Sequence, residues 1–220
     1  MKASNGIVLL GPPGSGKSSL AAELERVFDP IVRFAVRAAL EKEKSIGSKF
    51  GMEYSLLKKE GQWLPDEFVC RFMRNLFESG HFSQRFIIEG FPATKGQVEW
   101  FQKFSKEFNL AQPLVVYLKV PEHICFNRVK RRKVCPQCNF GVNTGKCSSK
   151  NPDLCYKCGS QLISRPDDEP SFFQARYRLH ERLVANVKEA FGGHGLVLDE
   201  TNTISDNLNE ICKMYGGVGG

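Results

Sequence analysis

The segment Gly11-Pro12-Pro13-Gly14-Ser15-Gly16-Lys17-Ser18 fits the spacing GxxxxGK[ST]. Glycines there let the backbone wrap closely enough for its N–H groups to cradle phosphate oxygens, and a helix starting at the loop adds a favourable dipole. On this reading Gly14, Ser15, Gly16, Lys17, Ser18 and Ser19 hold the phosphates of a nucleoside triphosphate. Lys17 neutralises the β and γ phosphates, and Ser18 or Ser19 reaches a bound Mg²⁺. A glycine-rich turn with a chance lysine is the bland alternative. The strand-like run before the loop and the helical pattern after it argue against that.

A second constellation is Cys135-Pro-Gln-Cys138, sixteen residues, then Cys155-Tyr-Lys-Cys158. Two CxxC knuckles at ribbon spacing supply four thiolates for a tetrahedral Zn²⁺, with no ligand position left for water, so the expected role is structural. A redox pair is the rival, disfavoured by the second knuckle. Cys147 has no CxxC mate and reads as a bystander, while Cys70, Cys125 and Cys212 sit in apolar contexts as core thiols.

The basic run Arg128 to Lys133 allows a nucleic-acid or localisation reading. Arg128 and Arg132, four apart on an expected helix, can instead face one cleft. Arg165 and Arg176 bracket the far end of the cysteine-rich stretch. Arginine suits such a place because its planar fork pairs bidentately with phosphate oxygens. Glu89 follows the apolar run Phe86-Ile87-Ile88, where a carboxylate at a strand's carboxyl end orders Mg²⁺ or its waters; taken alone it is a solvated loop acid.

The elements that must hold these groups are βα units. Strand-like apolar runs at Ile7 to Leu10, Ile31 to Phe34, Phe86 to Ile88, Leu114 to Leu118 and Leu196 to Leu198 alternate with helical patterns, which predicts α/β architecture with a parallel sheet. One helix is marked by Phe68, Val69, Phe72, Met73, Leu76 and Phe77 with a stop at Gly80. A longer one is marked by Phe172, Leu179, Leu183, Val187 and Phe191, ending at Gly192-Gly193. The alternation breaks twice. Residues 35–67 are helical and charged and end in a Gly61-to-Pro65 turn, and residues 133–165 hold too little apolar material to form a core. Both read as insertions from one unit spanning 1–220, whose core is 1–34, 68–132 and 166–220. The Gly216-to-Gly220 tail reads as disordered.

Composition bounds the rest. The 220 residues are 41% hydrophobic and 25% charged, an ordinary globular balance. No apolar run approaches the ~20 residues that span a bilayer. The net charge of +7 suits a polyanionic partner, a nucleic acid or a phosphorylated small molecule. Clustered cysteines without an export signal point to metal rather than disulfides, and to the cytoplasm.

Taken together, these residues resemble the adenylate kinase family of nucleoside monophosphate kinases, in its long form with a zinc-bearing lid. The resemblance rests on Gly11 to Ser19, the Gly61-to-Asp66 turn, Glu89-Gly90-Phe91-Pro92 where the family has Asp-Gly-Phe-Pro, Arg128 with Arg132, the four cysteines, Arg165-Pro166-Asp167-Asp168, and Arg176. It implies a P-loop, doubly wound, five-stranded parallel sheet with helices on both faces, a helical NMP-binding insertion and a zinc-ribbon-like lid. It also implies reversible transfer of the ATP γ-phosphoryl group to AMP or a related monophosphate with Mg²⁺. Lys17, Arg132, Arg165 and Arg176 would grip the transferring group, and Arg128 would stack on the donor adenine. Arg37, Gln62, Trp63, Leu64, Gly90 and Gln97 would line the acceptor site, with Gln97 reading the base.

The acceptor half departs from the family. Phe34-Ala35-Val36-Arg37-Ala38-Ala39 stands where the family has Ser-Thr-Gly-Asp before an acceptor-binding arginine, and the insertion reads as about four residues longer. Ala93 stands where an arginine holds the acceptor phosphate, with Arg37, Lys58 and Lys95 as candidate substitutes. The expected protein is a monomeric, cytoplasmic kinase. The alternatives are an ATP-binding homologue with another acceptor or weak activity and, remotely, a zinc-ribbon nucleic-acid binder, which lacks the aromatic and basic stacking platform of a single-strand reader. No stable nucleic-acid or membrane partner is expected.

Overall fold

A computed structural model describes residues 6–59, 62–82, 85–138, 141–143, 151, 153–191, 194–199 and 202–217. Cys147, Gly61, Gly192-Gly193 and the last three residues lie outside this set. β1 (Gly6–Leu10) leads into α1 (Lys17–Val27), and β2 (Val32–Ala35) into α2 (Val36–Ser45) and α3 (Lys49–Leu57). Next come α4 (Asp66–Glu78), β3 (Phe86–Glu89), α5 (Lys95–Glu107), β4 (Leu114–Lys119) and α6 (Glu122–Lys130). A short ribbon, β5 (Arg132–Val134) and β6 (Gly141–Asn143), precedes a 3-10 turn at Pro166–Asp168. The chain ends in α7 (Pro170–Phe191), β7 (Gly195–Asp199) and α8 (Ile204–Gly217).

The five strands expected from apolar runs form one parallel sheet in the order β2-β3-β1-β4-β7. β1 is central and buried at every position, which is why its sequence is a continuous apolar run. Its side chains alternate between two cores. Ile7 and Leu9 face Leu20, Leu24 and Ile211 of α1 and α8. Val8 and Leu10 face the aromatic-rich side formed by Phe68, Phe72, Phe101 and Leu183 of α4, α5 and α7. Emptying one fully buried position such as Leu24 by truncation to alanine costs about 2–5 kcal/mol. Because the strands are parallel, all their carboxyl ends open on one side, and the crevice there is where an open α/β sheet binds its ligand.

Several local expectations shift. β2 starts at Val32 rather than Ile31 and takes in Ala35. Gly80, at φ +77°, follows the end of α4 as read from sequence. Arg132 is not on the helix with Arg128: α6 stops at Lys130, and the Arg132 backbone already pairs with Asn143 in the ribbon. The buried stripe of α7 is Phe173, Tyr177, His180, Leu183 and Phe191, whereas Leu179 is 40% exposed. The stripe swings because Phe173 and Tyr177 pack with Val120, Cys125 and Val129 of the β4–α6 segment, and the Tyr177 hydroxyl donates to Val120 O at 2.9 Å. α8 extends through Gly217, so the first two glycines of the tail are helical.

Candidate active site

Between β1 and α1 the backbone is shaped for an anion. Gly14 has φ +84°, and a Cβ there would meet Cys125 O at 2.4 Å, so only glycine lets the loop lie against α6. Gly16 caps α1 at φ 101° without a side-chain hydrogen bond, leaving first-turn N–H groups and the positive end of the helix dipole for a ligand. Lys17 rests on its own loop, Nζ donating to Gly11 O (2.6 Å) and Pro12 O (2.9 Å). Loss of hydration pushes Lys17 down to about 7; Glu89 opposes the shift, and Arg176 and Arg132 add to it.

Glu89 is buried at the end of β3, so it is not a solvated loop acid. Its two oxygens accept from Ser18 Oγ (2.8 Å) and from Arg33 Nε (2.8 Å). Arg33 Nη2 also donates to Ser18 O at 3.1 Å, so one guanidinium ties β2 to both members of the pair. Ser19, the next residue, is exposed.

Arginines from three parts of the chain converge on Asp167 and Asp168. Arg132 grips Asp168 with both arms of its fork, Nε to Oδ2 at 2.8 Å and Nη2 to Oδ1. Arg37 of α2 pairs with Asp167, and Arg176 of α7 lies 4.0 Å from the same carboxylate. Burial pushes Arg165 down to about 10, with the charges of Arg132 and Arg37 adding. Burial does the same to Arg176, with Arg37 adding. Both stay protonated at neutral pH while bearing the strain of crowded like charge, which a polyphosphate would relieve. Arg128 stands apart, exposed on α6, with Nη1 donating to Gly14 O at 3.3 Å.

The acceptor-side residues are arranged differently. Glu41, one turn beyond Arg37, accepts from Lys58 Nζ (2.6 Å) and Tyr54 Oη (2.8 Å). Burial would raise Glu41, but these two hydrogen bonds outweigh it and hold the carboxyl below the usual range. Lys58 is therefore paired, and Lys95 is a surface side chain 3.8 Å from Glu99. Of the three candidate substitutes, Arg37 is the one that meets the arginine cluster. Ala93 is buried, and its N–H donates to Gln97 Oε1 at 2.8 Å. The other end of that buried amide, Nε2, donates to Asp66 Oδ1 at 2.8 Å. Gln62 is exposed, Leu64 is half-buried against the aromatic core, and Gly90 N donates to Leu9 O at 3.4 Å. Trp63 meets the His180 ring edge-on, with centroids 5.3 Å apart.

In the ribbon, the Sγ atoms of Cys135, Cys138, Cys155 and Cys158 all lie within 4.8 Å of one another. Cys135 and Cys155 are buried with Val142 and Leu162, while Cys138 and Cys158 are exposed. Hydrogen bonds from the backbone and hydroxyl of Ser160 push Cys158 down to about 6, which favours the thiolate a metal binds. Four convergent sulfurs are the donor set of a closed structural zinc site, and the residues fit that ion. The bridge Val134–Ile163 ties the first knuckle to the segment after the second, and Leu154–Gln161 closes the second on itself.

A family model for adenylate kinase matches residues 9–215. The chain belongs to the adenylate kinase family. It is accordingly a phosphotransferase, a nucleoside monophosphate kinase. Similar proteins include the adenylate kinase of Kosmotoga olearia, 28% identical over 209 residues that cover 94% of this chain and 97% of that one. The adenylate kinase of Clostridium beijerinckii is 27% identical over 212 residues, covering 96% and 98%. That of Thermotoga petrophila is 27% identical over 215 residues, covering 96% of each chain.

Within this adenylate kinase fold, three side chains escaped sequence reasoning. Arg33 sat unremarked in a strand expected to be apolar; a charged residue there, with Glu89 ending another strand, was the available signal. Asp66 gathers Thr94 Oγ1 (2.8 Å) and Gln97 Nε2 (2.8 Å) and was read only as part of a turn. His180 is buried, and burial beside Lys17 and Arg176 holds its imidazole well below the usual range and hence neutral. Its spacing after Phe173 and Tyr177 marks the buried face once the stripe is read correctly.

Proposed function

We propose that the chain transfers the γ-phosphoryl group of ATP reversibly to a nucleoside monophosphate, with Mg²⁺, through a site whose acceptor half differs from the family's usual one. The convergence of Arg37, Arg132, Arg165 and Arg176 around Asp167 and Asp168, with Lys17 within the electrostatic reach of Arg132 and Arg176, carries this reading. Phosphoryl transfer asks for positioning and charge stabilisation rather than a protein nucleophile, and crowded, partly desolvated cations supply both.

Gly14, Ser15, Gly16, Lys17, Ser18 and Ser19 hold the donor phosphates, with Lys17 exchanging its loop carbonyls for them, and Arg128 stacks on the donor base. Lys17, Arg132, Arg165 and Arg176 stabilise the transferring group. Mg²⁺ bound with ATP neutralises phosphate charge, and Ser18 and Glu89, already hydrogen-bonded to each other, are the residues that hold its shell, with Ser19 beside them. Residues 35–67 form the acceptor insertion. Arg37, Gln62, Trp63, Leu64, Gly90 and Gln97 line it, and Arg37 takes the role that Ala93 cannot play. Residues 133–165 form the lid around one structural Zn²⁺ on Cys135, Cys138, Cys155 and Cys158, and lid closure excludes water that would otherwise hydrolyse ATP. We place this kinase in the cytoplasm as a monomer; no described helix is long and apolar enough to cross a membrane.

A coupled ATP-consumption assay across AMP, UMP, CMP, GMP and their deoxy forms tests the reading. Turnover with at least one of them is expected. ATP binding without turnover on any would favour the altered-acceptor alternative, to which Ala93 and the Glu41–Lys58 pair lend support.

A further inference from the structure

Five buried side-chain nitrogen or oxygen atoms have no hydrogen-bond partner among the described residues, and three of them belong to neighbours: Trp63 Nε1, Arg176 Nη1 and His180 Nδ1. Trp63 comes from the turn of the acceptor insertion and stacks edge-on against His180, which lies one turn after Arg176 on α7. His180 is 4% exposed, and its main-chain carbonyl is fixed by the Tyr117 hydroxyl at 2.9 Å, so its position is set by the core. Arg176 Nη1 stands 4.0 Å from Asp167, beyond hydrogen-bond reach. Buried polar groups are almost always satisfied, so three idle nitrogens on side chains linked by a ring contact and one helical turn mark a place where a ligand supplies the missing partners.

Two of the three atoms can only donate, since an indole N–H and a guanidinium have no acceptor. What meets them is therefore an oxygen-rich, electron-donating group. The cations nearest His180, Lys17 on α1 and Arg176 on its own helix, specify a negative one. Ala93 offers only a backbone N–H that is already given to Gln97, Lys58 is neutralised by Glu41, and Lys95 lies on the surface beside Glu99, so none of the three is at hand to hold a phosphate on this side.

We propose that Trp63 and His180, together with Arg37 and Arg176, bind the phosphate of the acceptor monophosphate and so decide which acceptor this enzyme takes. The proposal rests on the monophosphate-kinase reading above and names the residues that hold the acceptor phosphate. Trp63 Nε1 donates to one phosphate oxygen. His180 Nδ1, carrying its proton on that nitrogen or gaining one beside the dianion, donates to another. A short donor pair at this depth holds a monoester close to the arginines that stabilise transfer.

The test uses the full chain with His180→Phe and Trp63→Phe, which keep ring volume, and His180→Gln, which keeps a hydrogen-bonding end. For the monophosphate that wild type uses best among AMP, UMP, CMP and GMP, each phenylalanine variant should raise acceptor KM by roughly ten- to a hundredfold, the loss expected for one hydrogen bond to a charged group. His180→Gln should lose less. The ATP dissociation constant, read by calorimetry, should stay at the wild-type value. Binding of the corresponding nucleoside, which lacks the phosphate, should not respond to either variant. If His180→Phe does not fold, Trp63→Phe decides alone. Unchanged acceptor KM in variants of an active wild type would overturn this inference and leave the kinase reading standing, as would equal losses for the nucleoside. A wild type that phosphorylates no monophosphate would overturn the kinase reading and this inference with it.

Discussion

The two sides of the crevice are built from different materials. On the side proposed for the donor the groups offered to a phosphate are mostly backbone N–H groups, in a loop where a Cβ on Gly11 or Gly14 would strike backbone oxygen and Gly16 is held at φ +101°. On the side proposed for the acceptor the groups are side chains already engaged with one another, Glu41 locked onto Lys58 and Arg37 reaching across to Asp167. A backbone cradle tolerates little change because its geometry is its chemistry. A side-chain cradle can be rebuilt one residue at a time.

The sharpest test of that contrast is Lys17→Ala. On the proposed reading its ammonium meets the charge that shifts toward the leaving oxygen, and losing a contact of this kind lowers kcat by about a hundredfold or more. A coupled assay with a melting curve to show intact folding measures it, and more than a tenth of wild-type activity would mean the loop cradle works without its lysine. Arg37→Ala should act on the other side alone, raising acceptor KM about tenfold while the ATP constant holds. Equal losses for both substrates would erase the division.

The pH dependence of ATP binding comes next. Lys17 in the free protein sits at about 7 because its ammonium is desolvated, and polyphosphate binding returns it toward its ordinary, higher value. Binding therefore takes up a proton above neutrality, and affinity falls with rising pH by up to about tenfold per unit. Calorimetry at pH 8 in two buffers of different ionisation enthalpy reads the uptake directly; no difference between buffers would place Lys17 elsewhere on the scale. Smallest in reach is Cys155→Ala, expected to release stoichiometric zinc and loosen residues 133–165 while the sheet keeps its cooperative melting. Elemental analysis of wild type showing no metal would remove the premise.

The five strands were legible because a strand buried on both faces has to be apolar throughout, and the donor loop because its glycine spacing admits few other uses. The end of α6 was not: Val129-Lys130-Arg131-Arg132 contains no breaker, so only the pairing of Arg132 with Asn143 shows where the helix stops. The acceptor site was half legible. Sequence could register what was missing at Ala93, but not that Glu41 would claim Lys58 or that His180 would turn inward. The first depends on how α2 and α3 pack together, and the second on which face of α7 meets the β4–α6 segment, a tertiary choice that Phe172 and Phe173, side by side, leave open.

Lys17 resting against Gly11 O and Pro12 O has a further effect on what the loop admits. A lysine with two carbonyl oxygens already in hand is not an idle charge waiting for any passing anion. A small anion must compete with both carbonyl contacts at once, and chloride or a single inorganic phosphate engages few of the loop's N–H groups in return. A triphosphate engages the whole row of N–H groups at once, so it alone gains enough elsewhere to draw the ammonium off its perch. The resting bond thus works as a threshold that a triphosphate crosses more readily than a small anion does.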